Sequence, residues 1–398
     1  MSADPRPVVR LRPKADPRPV RHGAPWVFAD EVVLDRRTRA LAPGAVATLE
    51  DAGRQPLATV AVNPGSKIAL RVLDRDPGAE IGPEWLRARL AAALDLRARL
   101  YDAPFYRLVH GEGDGLPGVV IDRFGDTAVI QPNAAWAEAA LAPLAEALAA
   151  VTGVRHVLKN AASRARALEG LDDASAVLIG QAPDGPVPVE MTGATYLADL
   201  TGGQKTGLYY DQRPNHAFAA RLARGARVLD VFSHAGGFSL AALAGGAEAA
   251  LAVDGSAAAL ELAQAGAART GVADRFATRR ADAFEAMEAL AAEGARFDLV
   301  VCDPPAFAPA KPALDKGLRA YERVARLAAP LVAEGGFLML CSCSHAADLA
   351  RFRQASVRGI GRGGRRGQLL RTGGAGPDHP QHPMLAETGY LKTLAFRL

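Results

Sequence analysis

Cysteine is scarce in this chain of 398 residues: Cys302, Cys341 and Cys343 are its three thiols, two of them one residue apart. A disulfide framework is thereby excluded, and a reducing, cytoplasmic setting is expected. Long hydrophobic runs are missing too. No stretch approaches the roughly 18 apolar residues of a membrane span, and the first residues are polar and proline-rich, without the apolar core of a secretion signal. No membrane partner is expected. The glycine turn at 233–238 lacks the spacing G-x-G-x-x-G, with only Gly236-Gly237 together, which argues against a nicotinamide dehydrogenase. In His379-Pro380-Gln381-His382 prolines stand beside both histidines, and no thiol or acid cluster completes a ligand set, so a turn is expected and no metal site. Acidic residues are lacking from 351–371, where seven arginines lie, and residues 1–23 hold a second basic cluster although the net charge is only +4. Such clustering suits a polyanion such as RNA, or else marks solvated faces.

What is present divides into three regions. Residues 1–76 carry short β-type runs (Val8–Leu11, Trp26–Phe28, Ala45–Leu49, Leu57–Val62, Ile68–Val72) separated by turn residues, which predicts a small all-β domain. Residues 77–200 mix a helix over Pro83–Tyr101, an alanine-rich helix over 134–152 and several strands, which predicts a central α+β domain. From 201 to 398 strands alternate with helices: Arg227–Val231, Ala250–Val253, Phe276–Arg280, Asp298–Cys302, Gly336–Cys341 and Tyr390–Arg397, with helices at Phe238–Ala244, Ala257–Thr270, Ala283–Glu293 and Gly317–Leu331. That rhythm predicts an α/β fold with a doubly wound, mostly parallel sheet.

Chemistry gathers at the predicted carboxyl ends of these strands. The stretch Asp230-Val-Phe232-Ser233-His-Ala-Gly236-Gly237-Phe238 reads as strand, glycine turn, helix, a setting in which backbone comes close to a nucleotide-like cofactor. Asp254 ends the next strand, 24 residues after Asp230, where a carboxylate accepts hydrogen bonds from a ribose diol or else caps a helix. Asp282 ends the strand after that, within reach of an adenine amino group. Asp303-Pro304-Pro305-Ala306-Phe307 forms a stiff loop at the mouth of the sheet. Strand alternation puts Cys302 in the core and gives Cys341 and Cys343 one face, with Cys343 nearer the cofactor end. Cys343 is therefore the candidate nucleophile, against the alternative of two buried structural thiols.

Taken in order, the segment Gly203–Arg213, the DVFSHAGGF loop, Asp254, Asp282, DPPAF and Ser342-Cys343-Ser344 resemble a family of class I, Rossmann-like S-adenosylmethionine-dependent methyltransferases. That family makes 5-methylcytosine in bacterial large-subunit ribosomal RNA. The resemblance extends to His22–Phe28, similar to the start of the family's N-terminal PUA RNA-binding domain, and to residues 111–126 of the middle region. It implies S-adenosylmethionine contacts from Lys205, Thr206, Gly207, Tyr209, Asp211, Gln212, Arg213, Phe232, Ser233, Gly236, Gly237, Phe238, Asp254, Asp282 and Asp303. It further implies Cys343 as the thiolate that adds to C6 of a cytosine in 23S rRNA; Asp303 is the candidate for positioning that base or assisting its proton transfer. Two features depart from the family: Ala306 stands where lysine is common after Asp-Pro-Pro, and the glycine–arginine run 358–366 is unusual for a helix. Uridine C5 methylation, which needs the same thiol, and an inactive RNA-binding assembly factor are the competing expectations. The all-β domain also offers a surface for a homodimer.

Overall fold

The computed structural model describes residues 6–202 and 207–398. Two compact units emerge, one formed by Met1–Asp184 with Pro377–Thr388, the other by Gly185–Gly376 with Gly389–Leu398.

In the first unit, strands β1 (Val8–Arg10), β2 (Trp26–Phe28), β3 (Ala45–Glu50), β4 (Pro56–Val62) and β5 (Ile68–Asp74) form a sheet of order β1-β3-β4-β5-β2, with short helices α1 (Arg18–Arg21) and α2 (Arg36–Arg39). Alternating valine, leucine and alanine side chains close its core around Leu49, Val60 and Leu70. Helix α3 (Pro83–Leu100) follows, then a second sheet of order β10-β9-β8-β7-β6 from β6 (Phe105–His110), β7 (Val119–Phe124), β8 (Thr127–Pro132), β9 (His156–Lys159) and β10 (Ala176–Ile179), with helices α4 (Ala135–Ala139), α5 (Leu141–Thr152) and α6 (Arg164–Leu168). Glu169 knits the unit together: its carboxylate accepts from Asn63, Ser66 and Arg71 and from the Ala135 backbone. Burial pushes its pKa up, and Arg71 and Asn63 outweigh that and hold it low. His379, expected in a turn, is buried; its ring lies 4.9 Å from that of His110 and its Nδ1 2.9 Å from Asp378.

The second unit opens with a hairpin, β11 (Val187–Met191) and β12 (Ala194–Ala198), from the stretch before residue 201. Next come α7 (Arg213–Leu222), β13 (Arg227–Val231), α8 (Gly237–Ala244), β14 (Ala249–Asp254), α9 (Ala257–Thr270), β15 (Phe276–Arg280), α10 (Ala283–Ala292), β16 (Phe297–Cys302), α11 (Leu314–Ala328), β17 (Val332–Ser342), α12 (Leu349–Arg362), β18 (Gln368–Gly373) and β19 (Lys392–Arg397). The sheet order is β15-β14-β13-β16-β17-β19-β18. Pairing is parallel from β15 to β17, and β19 runs antiparallel to both its neighbours. Strands β13 and β16 are buried on both faces over most of their length, Asp230 in β13 included, as central parallel strands are. Capping fixes the helix starts: Ser256 accepts from Ala259 N at α9, and Asp348 from Arg351 N at α12.

Two expectations need correcting. The glycine–arginine run does enter a helix, since α12 continues to Arg362. Cys343 lies beyond the last residue of β17, so strand alternation does not give it the face of Cys341; Ser342 and Cys341 are both buried, and Cys343 is half-buried in the following turn.

Candidate active site

The sharp turn after β13 builds one wall of the site. Phe232 and His234 take positive φ values of 63° and 47°, and Gly236 follows at 76°. Left-handed backbone at non-glycine residues is costly and persists where neighbouring contacts hold it. Here Asp254 Oδ2 accepts the His234 N–H at 2.9 Å, and Oδ1 accepts Ser256 N–H at 2.8 Å. Asp254 is thus no helix cap, since Ser256 caps α9. Beneath the turn Asp230 is fully buried and accepts from both the backbone N–H and the hydroxyl of Ser239; burial pushes its pKa up to about 6.

A second wall comes from the segment leading into α7. Gly207, at φ +95°, lies where a Cβ would sit 2.5 Å from the Asp199 carbonyl oxygen, so only glycine fits. Tyr390 donates to Asp211 Oδ2 at 2.7 Å. Gln212 donates through Nε2 to Asp303 Oδ2 at 2.9 Å and accepts from Asn215 at 2.7 Å. Asp303, directly after β16, is therefore held by a side chain from α7's entry. Arg213 opens α7 with its guanidinium 5.4 Å from the Tyr210 ring centre.

Tyr209 shows how these pieces converge. Its pKa is pushed up to about 12, first by burial and then by the negative charges of Asp211, Cys343, Asp303 and Asp254. One hydroxyl thus feels the carboxyl ends of β14, β16 and β17 together. The turn holding Cys343 is braced on both sides. Ser344 Oγ lies 2.7 Å from the Tyr321 hydroxyl and accepts Ala308 N–H at 2.9 Å, while Ser344 N–H donates to Ser342 Oγ at 3.3 Å. The other two thiols are buried and their pKa values raised by that burial, so neither Cys302 nor Cys341 is disposed to ionise.

Among the expected residues, Tyr209, Asp211, Asp254, Asp303 and Cys343 share this electrostatic neighbourhood, with Gln212 attached through Asp303. Phe232, Ser233, Gly236 and Gly237 form the glycine turn. Phe238 points inward instead, its ring centre 4.5 Å from that of His216. Asp282 is exposed and caps α10 through Phe284 and Glu285 N–H. Lys205 and Thr206 lie outside the described residues. Asn215, Tyr321, Ser344, Tyr390 and Lys392 belong to the network without having been expected. Lys392 opens β19, inserted antiparallel beside β17, and Tyr390 lies two residues before that strand; local sequence does not encode the pairing.

The buried Ser233 hydroxyl and Asp211 Oδ1 find no hydrogen-bond partner among the described residues. Buried polar atoms of this kind call for a ligand. Beside a glycine turn and a carboxylate at the end of β14, they fit the ribose and amino-acid ends of a nucleoside-type cofactor.

Comparison with known proteins agrees. Residues 139–355, more than half of the chain, match the S-adenosylmethionine-dependent methyltransferase family, and residues 9–75 match a PUA-like domain. A ribosomal RNA large subunit methyltransferase of Deinococcus radiodurans is 35% identical, with 98% of each chain covered. Ribosomal RNA large subunit methyltransferase I of Erwinia tasmaniensis is 34% identical over 94% of this chain and 95% of its own. A SAM-dependent methyltransferase from Streptococcus mutans has the same fold, with TM-score 0.82, 18% identity and coverage of 98% and 100%. So does a methyltransferase complexed with SAH, with TM-score 0.82, 19% identity and coverage of 98% and 99%.

Proposed function

Since the chain belongs to the S-adenosylmethionine-dependent methyltransferase family, we propose that it methylates C5 of a cytosine in 23S ribosomal RNA through a covalent bond between Cys343 Sγ and C6 of the base. The observation that carries this reading is a half-buried thiol in a braced turn just past β17, in the same electrostatic cluster as Asp303 and Asp254. The curated relatives of similar length are named ribosomal RNA large subunit methyltransferases, which supports the substrate class.

Cytosine C5 is a poor nucleophile. Addition of the Cys343 thiolate to C6 makes C5 enamine-like, so that it attacks an electrophilic methyl group. S-adenosylmethionine supplies that methyl. A base then removes the C5 proton, and the Sγ–C6 bond breaks to return the thiolate. Asp254 is suited to the ribose diol, since each of its oxygens keeps a lone pair beyond its backbone contact. Gly236 and Gly237 allow close approach of the cofactor, and Ser233 and Asp211 supply the polar atoms that need a partner. Asp303, oriented by Gln212, offers an acceptor to the N4 amino group of cytosine; the O4 of uracil would be repelled there. The target base must leave its stack to reach a site at the end of a sheet. We assign backbone contacts on the RNA to the PUA-like domain and the basic segments. A nucleophile that must stay reduced suits the cytoplasm. Among the described residues no helix is long and apolar enough to cross a membrane.

The test is transfer of labelled methyl to total ribosomal RNA from cells lacking this protein, followed by digestion to nucleosides. Label in 5-methylcytidine of the large-subunit RNA is the predicted result. Label in 5-methyluridine would reassign the base, and label in a nucleoside methylated elsewhere would overturn the thiol chemistry.

A further inference from the structure

Lys392 opens β19, paired in register with Ser342 of β17, and its side chain is only 7% exposed. Its ammonium makes one hydrogen bond among the described residues, donating to the carbonyl oxygen of Ser344 at 2.6 Å. That carbonyl belongs to the residue directly after Cys343. Next along the strand, the Thr393 hydroxyl lies 3.4 Å from Cys341 Sγ. Burying a cation against a single neutral acceptor is unfavourable unless a negative charge also forms nearby. The acids that act on Lys392 are the Cys343 thiol, in the turn it touches, and Asp348 at the start of α12.

We propose that Lys392 is the positioning residue of the nucleophile, its ammonium fixing the Cys343 turn through Ser344 and stabilising the thiolate. The inference rests on the reading of Cys343 as nucleophile. The balance is simple: the thiol proton leaves to water, the Lys392 proton stays on Nζ, and the negative charge left on Sγ is partly neutralised until Sγ bonds to C6. When elimination frees the thiolate, the same cation receives it again. Other titratable groups act at this end of the sheet: Tyr209 before α7, Tyr321 on α11, Asp303 after β16 and His345 in the same turn. Tyr209 and Tyr321 have raised pKa values, chiefly by burial, and are neutral through the working range; Asp303 opposes thiolate formation. Among the described residues, Lys392 supplies a positive charge that offsets it. Burial pulls its own pKa down to about 8, against the upward pull of Cys343 and Asp348, so the amine is mostly charged at neutral pH.

The test is the pH dependence of Cys343 alkylation by iodoacetamide in the full chain, each site read by peptide mass. Cys302 and Cys341 are buried, so Cys343 dominates the reaction. Lys392→Gln keeps a donor for Ser344 and loses the charge; Lys392→Arg keeps the charge. The Gln variant should titrate higher by a pH unit or more and react about tenfold more slowly at pH 7, and the Arg variant should recover most of the loss. The acid limb of methyl transfer should move with it. Coincident midpoints for wild type and Lys392→Gln would overturn the proposal. Should the Gln variant not fold, the reciprocal effect decides: in Cys343→Ala the Lys392 ammonium, followed by NMR with labelled lysine, should titrate lower than in wild type. An unchanged titration would count against it. If Cys343→Ala retains methyl transfer, the nucleophile reading fails, whatever the alkylation profiles show.

Discussion

Asp303 and Asp254 are both carboxylates at strand ends, yet their partners give them different work. Asp254 holds two backbone N–H groups of the loops it faces, while Asp303 is held by the Gln212 side chain. Asp254→Ala should weaken S-adenosylmethionine binding by about 1–3 kcal/mol, the cost of losing the diol contact and a brace of the left-handed turn; calorimetry measures it, and unchanged affinity would leave Asp254 a purely structural role. Asp303→Asn presents an amide that either accepts or donates, so discrimination of cytosine over uracil should fall about tenfold or more in a competition between two RNAs differing at one base. Undiminished discrimination would remove Asp303 from base recognition. The sequence made these carboxylates legible because parallel strands display catalytic groups at one end. It did not separate the partners of Asp282, which caps α10, from those of Asp254, because the two occupy equivalent places in the strand–helix rhythm and differ in which N–H groups reach them. Lys392 was hidden for another reason: nothing near it in sequence says that β19 lies against β17.

At the scale of elements, β13, β15 and α9 have the bounds that apolar runs and turn residues predict. Helix α12 was hidden. Its Gly359 and Gly361 weaken local helical preference and its arginines mask the apolar stripe. The helix forms because Phe352, Ala355 and Ile360 pack into the core shared with α11. Gly359 makes that approach possible: a Cβ there would lie 2.4 Å from the Glu322 carbonyl oxygen and 2.6 Å from Ala325 Cβ. Ion pairs from Arg358 and Arg362 to Glu322 close the same contact, so part of the basic run serves packing and not a polyanion. Gly359→Ala should therefore lower stability by about 1–3 kcal/mol although alanine is the better helix former. A denaturant midpoint equal to or above that of wild type would show that the two helices slide apart at little cost.

For the whole molecule, stability should depend on pH through histidines buried without charge. Burial pulls the pKa of His216 down to about 3 and that of His110 to about 2, with Arg107 adding to the latter. Between those values and the ordinary 6.5 of an unfolded histidine, the unfolded chain binds more protons than the folded one. Stability is then lost as pH falls below about 6.5, by up to about 1.4 kcal/mol per pH unit for each histidine. Asp230 acts in the opposite sense: its folded pKa is raised, so its contribution is present below about 4 and is lost as pH rises through about 6. Denaturant titrations from pH 7 to pH 4 should show a net fall that becomes shallower in His216→Gln; a slope unchanged by that substitution would mean that His216 is solvated in the folded state. The central claim is the covalent bond from Cys343 to cytosine C6, and it has a direct measurement. RNA carrying 5-fluorocytidine at the target has no C5 proton to remove, so elimination stalls after methyl transfer. Incubated with S-adenosylmethionine, the wild-type chain should form a denaturant-resistant adduct whose crosslinked peptide contains Cys343, and Cys343→Ala should form none. An adduct that persists in Cys343→Ala, or methylation of normal RNA with no adduct at any residue, would contradict the account.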